Sequence, residues 1–218
     1  FIIGCGKIAG LNNNESFNSF THGSAYKNNN KVKIVGCMDI NSNNGNLFSK
    51  KYNTDYFNDY HIGINKTNPQ IISVCSPDDT HYSITKDLLQ MHSDIRIIFL
   101  EKPICTNQNQ MKDLIKLSKE KNIIILPNHS RRFDNRYKKI RQSIINNEYG
   151  EFVNGLVTYY GGWMHNGIHI VDTLSFIFND TININTLKSS LNSQSKNDET
   201  LDGKLEFSST TGVIDLMS

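Results

Sequence analysis

No apolar run in this 218-residue chain approaches the ~20 residues that a membrane-spanning helix needs. Its first residues show no basic segment followed by an apolar core and a small-residue cleavage site, so no export signal is read there. Charge of one sign is also scarce: the net value is +2, too weak a field to argue for a nucleic-acid partner. Cys5, Cys37, Cys75 and Cys105 are scattered, with no C-x-x-C pair, which suits reduced thiols of a cytoplasmic protein. No internal repeat is visible. The asparagine-rich stretches at 12–14, 28–30 and 43–44 fall in expected loops and read as compositional bias. The length suffices for one large domain or one and a half ordinary ones.

What the chain does contain is an alternation. Short apolar runs at residues 1–3, 32–38, 71–75, 95–100 and 123–126 are separated by helical patterns. That is the signature of a parallel sheet with crossover helices, and continuous apolar runs suit strands covered on both faces. Residues 80–91 carry Ile84, Leu88 and Leu89 on one helical face. Residues 107–121 carry Met111, Leu114, Ile115 and Leu117 behind a capping Thr106 or Asn107. Residues 136–147 carry Tyr137, Ile140, Ile144 and Ile145. After the turn Glu148-Tyr149-Gly150 the order changes to a strand at 152–160, a helix at 167–178, then strand-like runs at 182–187, 204–207 and 212–216. The expected class is therefore α/β in a first domain, residues 1–128, followed by an α+β domain with an antiparallel-type sheet, residues 129–218. The boundary should lie within 126–134. Phe1 already sits inside an apolar strand and Met217-Ser218 closes a strand-like run. The expectation is a piece of a longer chain with an incomplete second domain.

The first strand runs into Gly4-Cys5-Gly6-Lys7-Ile8-Ala9, the G-x-G-x-x-G/A pattern of a dinucleotide turn. Gly4 would permit the tight turn, Gly6 the approach of backbone to a pyrophosphate, and Ala9 close helix packing. Helix N-terminal amides would then face the phosphates. The next strand ends in Asp39, placed to accept hydrogen bonds from an adenosine ribose and to disfavour a 2′-phosphate, hence NAD, with NADP possible. Asp39 lies farther along than the ~20 residues the fingerprint expects, and residues 11–20 read as an insertion before a crossover helix at about 21–27. The bland alternative for Asp39 is a loop carboxylate capping Asn41 onward. The third strand ends in Cys75-Ser76-Pro77-Asp78-Asp79-Thr80-His81, where Asp79 or Thr80 would cap the following helix. Strand carboxyl ends are where ligands sit in open α/β sheets.

These segments, with Glu101-Lys102-Pro103, Asn128-His129-Ser130-Arg131-Arg132-Phe133 and Gly167-Ile168-His169-Ile170-Val171-Asp172, occur in one order along nearly the whole chain. In this the chain resembles the glucose–fructose oxidoreductase, inositol dehydrogenase and rhizopine-catabolism family (Gfo/Idh/MocA). The resemblance implies an N-terminal NAD(P)-binding Rossmann domain and a C-terminal open-sheet domain that shapes a sugar pocket and mediates homo-oligomers. It implies oxidation or reduction at a ring carbon of a sugar, sugar nucleotide or cyclitol. It places Lys102 against both substrate and nicotinamide, and makes His169 the acid/base group. Cofactor contacts are implied at Gly4, Gly6, Lys7, Ile8, Ala9 and Asp39, at Ser76, Pro77, Thr80 and His81, and at Glu101 and Lys102. One departure is visible: four residues before the histidine, where the inositol dehydrogenase branch commonly has aspartate, stands His165.

Oxidising a secondary alcohol requires a base for the hydroxyl proton while hydride leaves. An imidazole suits that work, and a charged lysine stabilises a developing alkoxide. His169 is therefore read as proton acceptor and Lys102 as its electrostatic partner. Glu101 would hold Lys102 by charge. Asp172, one turn beyond His169, would orient it, or more simply be a helix-surface carboxylate. His165 and His169 at i, i+4 lack the glutamate of a zinc-protease motif, so no metal is expected. Arg131 and Arg132 would meet a substrate anion or serve as salt-bridged structure. The competing function is a catalytically silent dinucleotide-binding regulatory or assembly protein of the same fold. An S-adenosylmethionine methyltransferase shares the glycine turn but leaves Glu101-Lys102-Pro103 without a role.

Overall fold

In the computed structural model, which describes residues 1–11, 21–190, 198–209 and 212–217, the alternating pattern resolves into two compact units, Phe1–Asn128 and His129–Ser218.

The first unit alternates strands β1 (Ile2–Ile3), β2 (Cys37–Met38), β3 (Tyr56–Phe57), β4 (Ile71–Val74), β5 (Ile97–Leu100) and β6 (Ile124–Pro127) with helices α1 (His22–Lys27), α2 (Ser42–Tyr52), α3 (Tyr60–Thr67), α4 (His81–Gln90) and α5 (Gln108–Lys121). All pairings are parallel, in the order β3-β2-β1-β4-β5-β6. Strand order reverses direction between β1 and β4, which makes the carboxyl edge there the natural crevice for a ligand. The helices begin where capping side chains stand. Thr21, Asn41, Asp59 and Asn107 each accept a backbone N–H of the following first turn. Two apolar layers cover the sheet. One gathers Ile3, Val74, Leu88, Leu89, Ile98, Leu100 and Leu114. The other gathers Ile2, Cys5, Ala9, Cys37, Phe48 and Cys75.

Three elements escaped the sequence pattern: α2, β3 and α3. Their segment is rich in Asn, Tyr and Lys, and its buried positions include Gly45, Phe48, Gly63 and Ile64, too sparse a stripe for periodicity to register. The run at 32–38 pairs only over Cys37–Met38. The expected insertion falls at 11–20, of which 12–20 lie outside the described residues; the helix that follows begins at His22.

The second unit opens with helix α6 (Asn135–Ile145) and strand β7 (Asn154–Thr158). Helix α7 (Ile168–Phe178) then precedes strands β8 (Ile182–Ser189), β9 (Leu201–Phe207) and β10 (Val213–Met217). The sheet order is β7-β10-β9-β8. It is mixed, correcting the antiparallel expectation: β10 runs parallel to β7 and antiparallel to β9. A parallel neighbour needs a crossover, and α7 lies in the chain between β7 and β10. Tyr159, Leu174, Leu205, Phe207, Ile214 and Leu216 form its buried core. No helix among the described residues is long and apolar enough to cross a membrane.

Candidate active site

The turn after β1 is built by two glycines with different reasons. Gly4 has φ +85°, and a Cβ there would stand 2.7 Å from the Cys75 carbonyl and from the Ser76 nitrogen. Its N–H donates to the Met38 carbonyl at 2.8 Å. Gly4 thus lets the end of β1 press against the end of β4. A Cβ on Gly6 would meet nothing within 4 Å, so packing does not require that glycine and the turn is open on its side. Lys7 and Ile8 are exposed while Ala9 is buried. The turn therefore presents Gly6, Lys7 and Ile8 outward and anchors itself through Ala9.

Asp39 stands just past β2, buried, with both oxygens engaged. Oδ2 accepts the Cys5 N–H at 2.7 Å and Oδ1 the Asn41 N–H at 2.7 Å. The carboxylate ties the end of β2 to the glycine turn and also caps Asn41, so it performs the bland role and fixes the turn at once. Ile40, passed over in the sequence, is 91% exposed at this same edge.

At the end of β4, the Thr80 hydroxyl donates to the Pro77 carbonyl at 2.6 Å and meets Ser76 Oγ at 2.7 Å. It makes no side-chain cap of α4, contrary to expectation, because its own backbone is already helical (φ −94°, ψ −14°) and not in the extended conformation from which a capping oxygen reaches the first-turn amides. His81 is fully buried. Its Nδ1 lies 2.6 Å from the Pro103 carbonyl and its Nε2 2.9 Å from the Ser76 carbonyl. A ring with no exposed surface and both nitrogens committed is a tie between two loops, not a cofactor contact, which corrects its expected role.

Glu101 and Lys102 follow β5 at this same carboxyl edge, and the Lys102–Pro103 peptide is cis. Glu101 is buried, and its Oε1 lies 2.7 Å from His22 Nε2 and accepts Asn128 Nδ2 at 2.6 Å. Its fixed partners are therefore His22 and Asn128, where the sequence suggested Lys102. Burial alone raises its pKa, but the donors from His22 and Asn128 and the Lys102 amide outweigh burial and hold it below the usual value. Lys102 itself is half-buried. His22 went unnoticed because its partner stands 79 residues away, a distance that no local pattern spans.

In the second unit, His169 lies on the first turn of α7. It lines a cavity of about 390 Å³ together with Arg131, Tyr137, Tyr159, Tyr160 and Asn166. The His129 ring stands 6.2 Å away, edge-on. Asp172 is not a surface carboxylate. Its Oδ1 accepts Arg132 Nε and Nη2, each at 2.8 Å, and its Oδ2 lies 3.5 Å from His129 Nδ1. The two arginines divide their roles: Arg132 is the structural one, while Arg131 faces the cavity. His165 Nδ1 lies 2.5 Å from Asp198 Oδ2, and Asp198 also accepts the Met164 N–H at 2.7 Å. Burial raises the Asp198 pKa, but these bonds outweigh it and keep it below the usual range. Gly167 is required by packing, since a Cβ there would sit 2.3 Å from the Trp163 ring. Among the described residues no three His, Cys, Asp or Glu side chains are grouped to hold a metal ion.

A doubly wound parallel sheet with an open glycine turn at its switch point defines a dinucleotide-binding protein. Residues 1–129 match the model of the Gfo/Idh/MocA oxidoreductase family, NAD-binding Rossmann fold, and the chain belongs to that family. It is 26% identical over 95 residues to a myo-inositol 2-dehydrogenase of Thermotoga maritima, covering 44% of this chain and 28% of that protein. It is 23% identical over 151 residues to a D-glucoside 3-dehydrogenase of Escherichia coli, covering 69% and 40%. Among solved structures, the WlbA dehydrogenase of Bordetella pertussis, in complex with NADH and UDP-GlcNAcA, superposes with a TM-score of 0.81 at 15% identity. That match covers 99% of this chain and 65% of that one. The chain spans less than half the length of the curated relatives it matches.

Proposed function

We propose that this chain is the cofactor-binding part, with some of the substrate-binding part, of an NAD-dependent oxidoreductase acting on a ring CH–OH of a sugar, sugar nucleotide or cyclitol. The observation that carries the reading is the first unit's carboxyl edge. There the turn left open at Gly6 and the half-buried Lys102 flank the switch point of the sheet. The pyrophosphate would lie on the backbone of Gly4, Gly6, Lys7, Ile8 and Ala9. Asp39 would address the ribose with its remaining lone pairs, and Ser76, Pro77 and Thr80 would border the same edge. NAD held there would supply the hydride acceptor, or NADH the hydride donor, for the ring carbon. His169 takes the hydroxyl proton as the carbon–oxygen double bond forms, and Lys102 supplies positive charge to the developing alkoxide. Arg131, Tyr160 and Asn166, which line the cavity beside His169, offer donors and acceptors suited to a polyhydroxylated ring. The names of the related enzymes, an inositol dehydrogenase and a glucoside dehydrogenase, favour the same substrate class. We place the protein in the cytoplasm. We also read the sheet face bearing exposed Leu156 and Met217 as a surface for self-association.

The test is a screen with NAD and NADP against UDP-sugars and free cyclitols, alongside Lys102→Ala. That variant should bind NADH as the parent does while kcat falls roughly 10²- to 10³-fold, the scale for losing one electrostatic stabiliser. Undiminished turnover in Lys102→Ala would defeat the assignment. Bound NADH with no redox change across the whole panel would favour the silent binder.

A further inference from the structure

We propose that His22 is a positioning residue for Lys102, acting through Glu101; this rests on the catalytic reading of Lys102. Glu101 is 8% exposed and His22 4% exposed, so neither side chain can trade its partner for water. A carboxylate accepts only, so the proton of the 2.7 Å contact belongs to His22 Nε2. In the neutral ring Nδ1 then accepts from the Ser73 hydroxyl at 3.1 Å, and Ser73 Oγ in turn accepts from the Tyr26 hydroxyl at 2.6 Å. The donors then run in one direction, Tyr26 to Ser73 to His22 to Glu101, with no polar atom of the chain wasted. The imidazole is held from the side by the Phe99 ring, edge-on at 4.9 Å.

Glu101 transmits this order to its neighbour. Its carboxylate also bonds the Lys102 backbone amide, and the Glu101 N–H donates to Val74 O at 3.1 Å. On the other side of Lys102, the Pro103 carbonyl is tied to His81. The backbone is thus fixed on both flanks of the lysine while its side chain stays half-buried at the sheet edge. The titratable groups facing Glu101 are His22 on α1 and the Cys75 thiol at the end of β4, the latter pushed up by burial first and by the Glu101 charge second. Of these, His22 alone donates to the carboxylate.

Two variants separate positioning from bulk. His22→Phe keeps a ring of similar size and removes both hydrogen bonds; His22→Gln keeps one N–H able to reach Glu101. Carboxyl ¹³C NMR on the 218-residue chain follows the Glu101 titration, and amide NMR follows the Lys102 backbone. In the parent, Glu101 should titrate below its ordinary 4.5. In His22→Phe its midpoint should rise, because the carboxylate loses its His22 donor, and the Lys102 amide resonance should move. The kcat should fall about 10- to 100-fold, the scale of a small misplacement at a reacting centre. NADH affinity should hold within about twofold, and His22→Gln should recover most of the loss. If His22→Phe does not fold, His22→Asn, whose amide stops short of Glu101, takes its place. An unchanged Glu101 midpoint and Lys102 amide would overturn the proposal, as would a loss confined to KM. Absence of turnover in the parent on every probe would count against the functional reading, and the NMR arm would still decide the role of His22.

Discussion

Substituting the two glycines of the first turn by alanine separates folding from ligand binding. At Gly4 the added methyl meets three backbone atoms of Cys75 and Ser76, each at 2.7 Å, well inside the ~3.5 Å of a comfortable carbon contact. Backbone cannot rotate away as a side chain can. The φ of +85° adds a left-handed penalty of about 1–2 kcal/mol for any residue with a Cβ. Displacing the end of β4 costs at least as much again, for a total of about 3 kcal/mol. For a unit of this size that lowers the melting temperature by roughly 10 °C. At Gly6 the same methyl meets nothing within 4 Å, so Gly6→Ala should melt within about 2 °C of the parent, helped slightly by a stiffer unfolded chain. Its effect should appear in NADH binding, where the methyl intrudes on the approach of the pyrophosphate. A loss of at least tenfold is expected, or about 1.4 kcal/mol. Differential scanning fluorimetry reads the first quantity and nicotinamide fluorescence titration the second. If Gly6→Ala binds NADH as tightly as the parent, the open side of the turn is not where the pyrophosphate lies. If Gly4→Ala melts with the parent, the close approach of β1 to β4 is wrong.

Acid should weaken the first unit through Glu101. Its folded pKa lies below the unfolded value of 4.5, so its stabilisation is fully present above that pH and is lost as pH falls from there through the folded pKa. Glu101→Gln should flatten this part of a stability-versus-pH profile; an unchanged slope would show that the carboxylate is not held by its donors. In the second unit, Arg132→Leu should destabilise by about 1–3 kcal/mol, because it leaves the Asp172 carboxylate short of its donors. Arg131→Leu should leave the melting temperature nearly unchanged. Equal losses in the two variants, read by thermal unfolding, would contradict the division drawn between these neighbouring arginines.

The strand runs, the helices at 80–91 and 107–121, and the glycine turn were legible because each is local. Apolar spacing, capping residues and a glycine motif act over a few residues, and parallel order follows from their alternation. The family resemblance rested on the same local segments and led to the match over residues 1–129. What local pattern could not carry was partnership across the chain. Glu101 was assigned to its neighbour Lys102, whereas burial brought it His22 from α1 and Asn128 from just past the end of β6. His81 was read as a cofactor contact and proved to be a tie between the Ser76 and Pro103 carbonyls. Asp172 was read as a surface group and proved to be the centre of a pairing with Arg132. The sequence by itself determined most of the strands and helices, α2, β3 and α3 excepted, and where a dinucleotide turn begins, since backbone propensity and apolar periodicity are properties of neighbours in the chain. The tertiary structure alone decided which buried polar groups satisfy one another. A polar atom removed from water must take whatever partner the packing brings within about 3 Å, however distant in sequence that partner is.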